Sequence, residues 1–153
     1  MYVVRMADGS THEVDVLRVE DEELARIDPA RYFFDWTEET GQEVYKLVLQ
    51  GQHDILGLIS IEVMPKEWRV HVRLLTVSEE NQGRGKMYDR IAGNLLAHAA
   101  GIAVREFGAS ACISLRPKTA LEPHYMEKYN MTKTGVTLSL MVPEIMNLIN
   151  TYN

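Results

Sequence analysis

Ser78-Glu79-Glu80-Asn81-Gln82-Gly83-Arg84-Gly85-Lys86-Met87 (SEENQGRGKM) joins an apolar run to a long helical pattern and sets two glycines and two cations at the joint. A helix N-terminus presents unpaired backbone N–H groups and the positive end of a macrodipole, so oxyanions bind there when side chains do not obstruct them. Gly83 and Gly85 remove that obstruction, while Arg84 and Lys86 add mobile positive charge, which suits a pyrophosphate better than a single carboxylate. The same residues also suit a flexible surface loop that caps a helix. Their surroundings decide between the two readings.

Upstream, residues 43–49, 55–64 and 68–77 read as an antiparallel meander with turns at Gly51-Gln52-His53-Asp54 and Pro65-Lys66-Glu67. In its third strand Arg69, His71 and Arg73 alternate with apolar residues and share one face, solvated or cavity-lining. Downstream, Met87, Ile91, Leu95, Ala99, Ile102 and Ala103 recur at helical spacing until Phe107-Gly108. They predict a helix of about 22 residues, on the order of 33 Å long. Residues 111–115 form a short apolar strand, and a strand, a single long crossover and a second strand require the two strands to be parallel. Thr119 can cap a helix over 120–129 with Pro123 in its first turn, and Asn130 fits a left-handed C-terminal position. Residues 136–141 read as the last strand, and Pro143 starts an apolar-striped terminal helix over 143–153. Ahead of the meander, Asp8-Gly9 marks a hairpin between residues 2–6 and 11–19, and 21–27 reads as a short acidic helix. The aromatic stretch 31–36 reads as core packing.

A chain of 153 residues suits a single domain, here with a variable part at 1–40, a core at 43–141 and the terminal helix. Its net charge of −6 excludes a broad nucleic-acid or anionic-membrane surface, since either would be repelled at long range. The single cysteine, Cys112, lies in an apolar run and reads as a small buried residue, so no disulfide framework exists. Neither a secretory leader nor an apolar segment of spanning length is evident, and a cytoplasmic protein is expected. His12, His53, His71, His98 and His124 form no metal-ligand spacing, and no metal site is expected.

A nucleoside-triphosphate P-loop would need a glycine at Glu80 and a hydroxyl at Met87; a Rossmann loop would need a third glycine at Tyr88 and an opening β-α-β unit. Both fail. The stretch 77–87 instead resembles the acetyl-CoA-binding motif Q/R-x-x-G-x-G/A of the GNAT superfamily of N-acetyltransferases, with Gln82 and Gly85 matching and Met87 standing where the motif ends in a small residue. The element order from 43 to 141 is also similar to that family, and the resemblance covers roughly two-thirds of the chain. The segment Lys118-Thr119-Ala120-Leu121-Glu122-Pro123-His124-Tyr125 is similar to a K-T-x-L-x-x-H-Y pattern of small bacterial members.

The resemblance implies an α/β fold with a mixed, mostly antiparallel central sheet, flanking helices and one long cofactor-binding helix after the fourth core strand. It implies transfer of an acetyl group from acetyl-CoA to an amine of a small molecule or protein. Pantetheine would lie where the strand before the loop splays from the strand after the long helix, bonded to the backbone of Leu75, Thr76 and Val77; Gln82, Gly83, Arg84, Gly85, Lys86 and Met87 would hold the phosphates, and Lys118 would contribute to cofactor binding. Acetyl transfer needs a base or water path for the ammonium and an acid for the leaving thiolate. Tyr125 is the candidate acid, on the helix where family members often carry a tyrosine. His124, Glu62 and His71 are candidate bases; Glu79 and Glu80 are expected in solvent. The rival implication is a GNAT-like module that binds acyl-CoA without turnover. A homodimer through the first or last hairpin is expected to cover exposed strand edges.

Overall fold

The computed structural model describes residues 1–117 and 121–153, which form two compact units. The first comprises Met1–Ser60, Leu74–Leu95 and Tyr152–Asn153; the second comprises Ile61–Arg73 and Leu96–Thr151. No helix among the described residues is long and apolar enough to cross a membrane.

The first unit opens with the expected hairpin of β1 (Tyr2–Arg5) and β2 (Thr11–Val19), paired antiparallel. Asp8 closes its turn by accepting from the Ser10 N–H at 3.0 Å, and Arg5 N–H donates to Ser10 O at 2.8 Å. Two short helices follow, α1 (Asp21–Leu24) and α2 (Pro29–Tyr32), then a 3-10 turn at Trp36–Glu39. α1 stops at Leu24 rather than at residue 27, and α2 is capped by the Asp28 carboxylate, which accepts from Ala30 N–H at 2.9 Å. The meander falls where the alternation put it: β3 (Glu43–Leu49), β4 (Ile55–Met64) and β5 (Arg69–Val77).

The aromatic stretch packs as expected. Val19, Leu24, Ile27, Tyr32, Trp36, Val44 and Leu58 form one buried cluster, each side chain of this kind contributing roughly 1.5–3 kcal/mol by leaving water. Tyr32 donates its hydroxyl to Ile55 O at 2.7 Å, and burial pushes its pKa up to about 12. Phe33, at φ 68, is the exception and stays exposed.

After β5 the chain departs from expectation. The periodic stripe began at Met87, but Tyr88–Asp89 is a two-residue strand, β6, paired antiparallel with β1, and the long helix α3 runs from Ile91 to Phe107. It therefore has 17 residues, and Met87 lies in the preceding loop with its carbonyl accepting from Met6 N–H at 2.8 Å. α3 packs tightly on β4. A Cβ at Gly57 would lie 2.6 Å from Ile91 Cγ2 and 3.0 Å from both Leu95 Cδ1 and the Thr76 carbonyl, so only glycine admits this approach.

In the second unit, β7 (Cys112–Leu115) pairs parallel with β5 over four positions, from Arg69↔Cys112 to Val72↔Leu115, as the crossover requires. β5 continues beyond the last pair to Val77. α4 (Glu122–Tyr129) ends on Asn130 at φ 59. The expected Thr119 cap lies outside the described residues. β8 (Thr132–Thr134) and β9 (Thr137–Met141) make the final hairpin, β9 pairing antiparallel with β7, and α5 spans Glu144–Tyr152. Hydrogen-bonded neighbours run β6-β1-β2-β3-β4-β5-β7-β9-β8. Alternation sorts the second unit's strands: Val70, Val72, Ile113, Leu115, Leu138 and Leu140 are buried on one face, and Arg69, His71, Cys112, Ser114 and Ser139 share the other through their register.

Candidate functional site

The loop 78–87 is built by its own polar side chains. Asn81 is buried and works in both directions: its Nδ2 donates to Ser78 Oγ at 2.8 Å, and its Oδ1 accepts from Tyr88 N–H at 2.8 Å. Met87 N–H donates to Glu80 O at 3.2 Å. These bonds tie the two ends of the loop together, so Gln82–Lys86 projects from a closed neck. Gln82 Nε2 folds back onto Val77 O at 3.0 Å, the same carbonyl that Thr76 Oγ1 reaches at 3.1 Å.

The projecting turn is open. Gly83 sits at φ 64, a left-handed conformation that L side chains rarely adopt, and nothing lies within 4 Å of a Cβ built there or at Gly85. Among the described residues, the N–H groups of Gly83, Arg84, Gly85 and Lys86 have no intramolecular acceptor. The two cations differ. Lys86 Nζ pairs with Asp89 Oδ1 at 2.9 Å, whereas exposed Arg84 has no ion-pair partner among the described residues. Asp89 Oδ1 also accepts from Arg90 N–H at 2.9 Å, so a carboxylate already sits by the start of α3. The expectation that Gly83 and Gly85 open directly onto the helix N-terminus is thus corrected: β6 stands between them and the donors come from the loop itself.

No family model and no curated protein matches the chain. Solved structures do. The dodecameric spermidine N-acetyltransferase of Vibrio cholerae superposes with a TM-score of 0.63 at 12% identity, over 88% of this chain and 96% of that one. The ribosomal-protein-S18-alanine N-acetyltransferase of Escherichia coli gives 0.62 at 13% identity, over 85% and 94%. A Bacillus anthracis protein described as a streptothricin acetyltransferase, in complex with acetyl coenzyme A, gives 0.61 at 13% identity, over 84% and 98%. The chain has the GNAT fold.

Within the GNAT fold the loop 78–87 joins β5 to α3, and its open turn with free N–H donors and an unpaired guanidinium fits a diphosphate chemically. Met87 is exposed. Lys118 lies outside the described residues. Glu80, expected in solvent, instead receives the Arg31 guanidinium, which also grips Asp54 with 2.8 and 3.1 Å bonds. Arg31 holds the Glu80 carboxyl below the usual carboxylate range.

The four candidate acid and base residues all lie in the second unit, in two groups. On α4, Tyr125 is half-buried, with burial pushing its hydroxyl pKa up, and its ring lies 5.9 Å from that of Tyr129. His124 is exposed beside it, with ring centroids 5.6 Å apart. On the sheet, Glu62 faces Arg73 at 3.8 Å. His71 is half-buried, and burial first, then Arg69 and Arg73, pull its pKa below the ordinary histidine value despite the opposing carboxylates of Glu62 and Glu67. Its Nδ1 lies 2.8 Å from Ser114 Oγ. No hydrogen bond among the described residues joins the α4 pair to Glu62 or His71. Sequence reasoning passed over Asn81 and Ser114. For Asn81 the signal was a buried-capable amide three residues after Ser78; for Ser114 it was a hydroxyl inside the apolar run Ile113-Ser114-Leu115.

Proposed function

We propose that this protein is an acetyl-CoA-dependent N-acetyltransferase acting on an amine of a small molecule or a protein. The observation that carries the reading is the loop at 82–86, where four successive unpaired N–H groups surround a guanidinium free of ion pairs on a chain that is otherwise acidic. Its position between β5 and α3 of a GNAT fold supports the reading, as does the activity of the fold's solved neighbours.

In this reading Gln82, Gly83, Arg84, Gly85, Lys86 and Met87 hold the diphosphate of acetyl-CoA, the backbone of Leu75, Thr76 and Val77 holds its pantetheine arm, and Lys118 adds a further cation. Acetyl-CoA supplies an acyl group already activated as a thioester. The chain's own residues manage protons. Tyr125 keeps its hydroxyl proton at neutral pH because burial disfavours the phenolate, which equips it to donate to a departing thiolate. Deprotonation of the acceptor ammonium falls to Glu62, His124, His71 or a water.

Calorimetric titration with acetyl-CoA, followed by thiol release across a panel of primary amines, tests both halves. Micromolar binding with amine-dependent thiol release is expected. No binding would sink the reading; binding with no turnover for any amine would leave the module that holds acyl-CoA without chemistry.

A further inference from the structure

Ser114 is fully buried and stands in register with His71 across the parallel β5–β7 pair. Among the described residues its hydroxyl meets two side chains, His71 Nδ1 at 2.8 Å and Arg69 Nη1 at 3.4 Å. Arg69 is itself held by an ion pair with Glu67. A guanidinium has donors and no acceptor, so Arg69 can only fill a lone pair of Ser114 Oγ. The serine's single hydrogen then has one acceptor in reach, Nδ1. Were Nδ1 protonated, the serine hydrogen would be buried with no partner, an arrangement that native interiors avoid.

We propose that Arg69 and Ser114 fix His71 as the neutral tautomer protonated on Nε2, so that the ring offers an N–H donor, and not a base, to an oxygen atom of a bound ligand. The complementary group is a carbonyl or carboxylate oxygen, as on an acyl group or an acceptor bearing one. Ser114 and Arg69 are positioning residues in this arrangement; neither need touch the ligand.

The charged groups acting on the ring are Arg69 and Arg73, which oppose an imidazolium, and Glu62 and Glu67, which favour it; burial is the largest influence and, with the two arginines, lowers the pKa below the ordinary histidine value of 6.5, so the ring is neutral at pH 7. Its lone pair is already engaged by Ser114. An approaching ammonium therefore finds a donor where it needs an acceptor, and the base role passes to Glu62, His124 or water. The tautomer stands on the geometry alone; only the ligand's chemistry rests on the proposed function.

Long-range 1H–15N correlation spectra of the 15N-labelled protein at neutral pH test it directly. The expected His71 pattern is that of an Nε2–H imidazole, giving way in Ser114→Ala to a mixture with Nδ1–H and restored in Ser114→Thr, which keeps the hydroxyl. An Nδ1–H pattern in the wild type overturns the proposal even if no variant folds, as does a pattern unmoved by Ser114→Ala. Where turnover is found, His71→Ala should lose on the order of 100-fold in kcat and His71→Gln, which keeps an N–H donor, about 10-fold. Equal losses in both, with disappearance of the acidic limb of kcat/KM, would make His71 a base. Absence of transferase activity would remove the proposed function and leave the spectra to decide the tautomer.

Discussion

The two units differ in net charge and in what surrounds their candidate functional groups. The first unit carries sixteen acidic and eight basic residues, a net of −8, and the second carries six and eight, a net of +2. In the first unit ion pairs tie the partly exposed surface, outside the neutral Asn81–Ser78 neck: Arg31 bridges Asp54 and Glu80, Lys46 pairs with Glu23 at 2.5 Å, and Lys86 pairs with Asp89. In the second unit's sheet the buried group is a neutral hydroxyl, Ser114, set against an imidazole with the Arg69 guanidinium on its other side. Ions at half-exposed positions define shape where solvent can still share their solvation cost, whereas a buried site keeps its groups neutral to avoid that cost. The loop belongs to the ionic side and the candidate acid, Tyr125, to the neutral side. This contrast ranks the expected effects of substitution.

The largest effect lies in the first unit's packing. Gly57→Val puts side-chain atoms where Ile91, Leu95 and the Thr76 carbonyl already stand, and the carbonyl cannot rotate away. Overpacking of this kind is expected to cost about 3 kcal/mol or more, read as a lowered denaturation midpoint with an unchanged m-value. A loss under ~1 kcal/mol would mean that α3 can move off β4. Next comes the neutral side. Tyr125→Phe removes a proton donor and little volume, so a folded variant with kcat lowered by about 100-fold is expected in stopped thiol-release assays. Undiminished turnover would dismiss Tyr125 as the acid and leave its half-buried ring a packing role.

Within the loop, the comparison sharpens to two neighbouring cations. Arg84 has no ion pair to break, so its whole charge is available to phosphate; Lys86 must exchange Asp89 for it. Arg84→Ala is expected to weaken acetyl-CoA binding by roughly 10-fold and Lys86→Ala by about 3-fold. Calorimetry at fixed salt measures both. Equal losses would mean that the Lys86–Asp89 pair opens on binding; no loss in either would remove the loop's phosphate role.

How far such distinctions are visible in the sequence depends on which contacts are local. The meander, the hairpin at Asp8-Gly9 and the parallel β7 follow from alternation, turn residues and crossover length, all of which act within a short window. The start of α3 does not. Met87 and Ile91 are four apart and fit the helical stripe, but Tyr88 and Asp89 pair with Arg5 and Val4 across more than eighty positions, and no periodicity carries that information. The openness and charge of the loop 78–87 were legible because glycine and cation spacing reports backbone freedom and charge directly. Its internal order was not, because Asn81's two bonds depend on the neck being closed. Ser114 was hidden by its neighbours: an apolar run signals a buried strand, and the one hydroxyl within it becomes meaningful only when register sets it opposite His71.

The smallest effect tests the ionic side by pH. Arg31→Ala removes the guanidinium shared by Glu80 and Asp54, whose side chains are 33% and 57% exposed, so solvent screening limits the loss to about 1 kcal/mol at pH 7, or a Tm lower by roughly 2–4 °C. The sign of its pH dependence follows from Glu80, whose folded-state pKa lies below its ordinary value of 4.5, chiefly through the hydrogen bonds from Arg31. A carboxyl depressed in the folded state contributes stability that is fully present above its unfolded pKa and is lost as pH falls through the folded one. The stability difference between wild type and Arg31→Ala should therefore hold from pH 7 to about 5.5 and shrink below 4.5 as Glu80 protonates. A difference that stays constant down to pH 3 would assign Arg31's contribution to its stacking on the Tyr32 ring, 5.1 Å away, which carries no such titration.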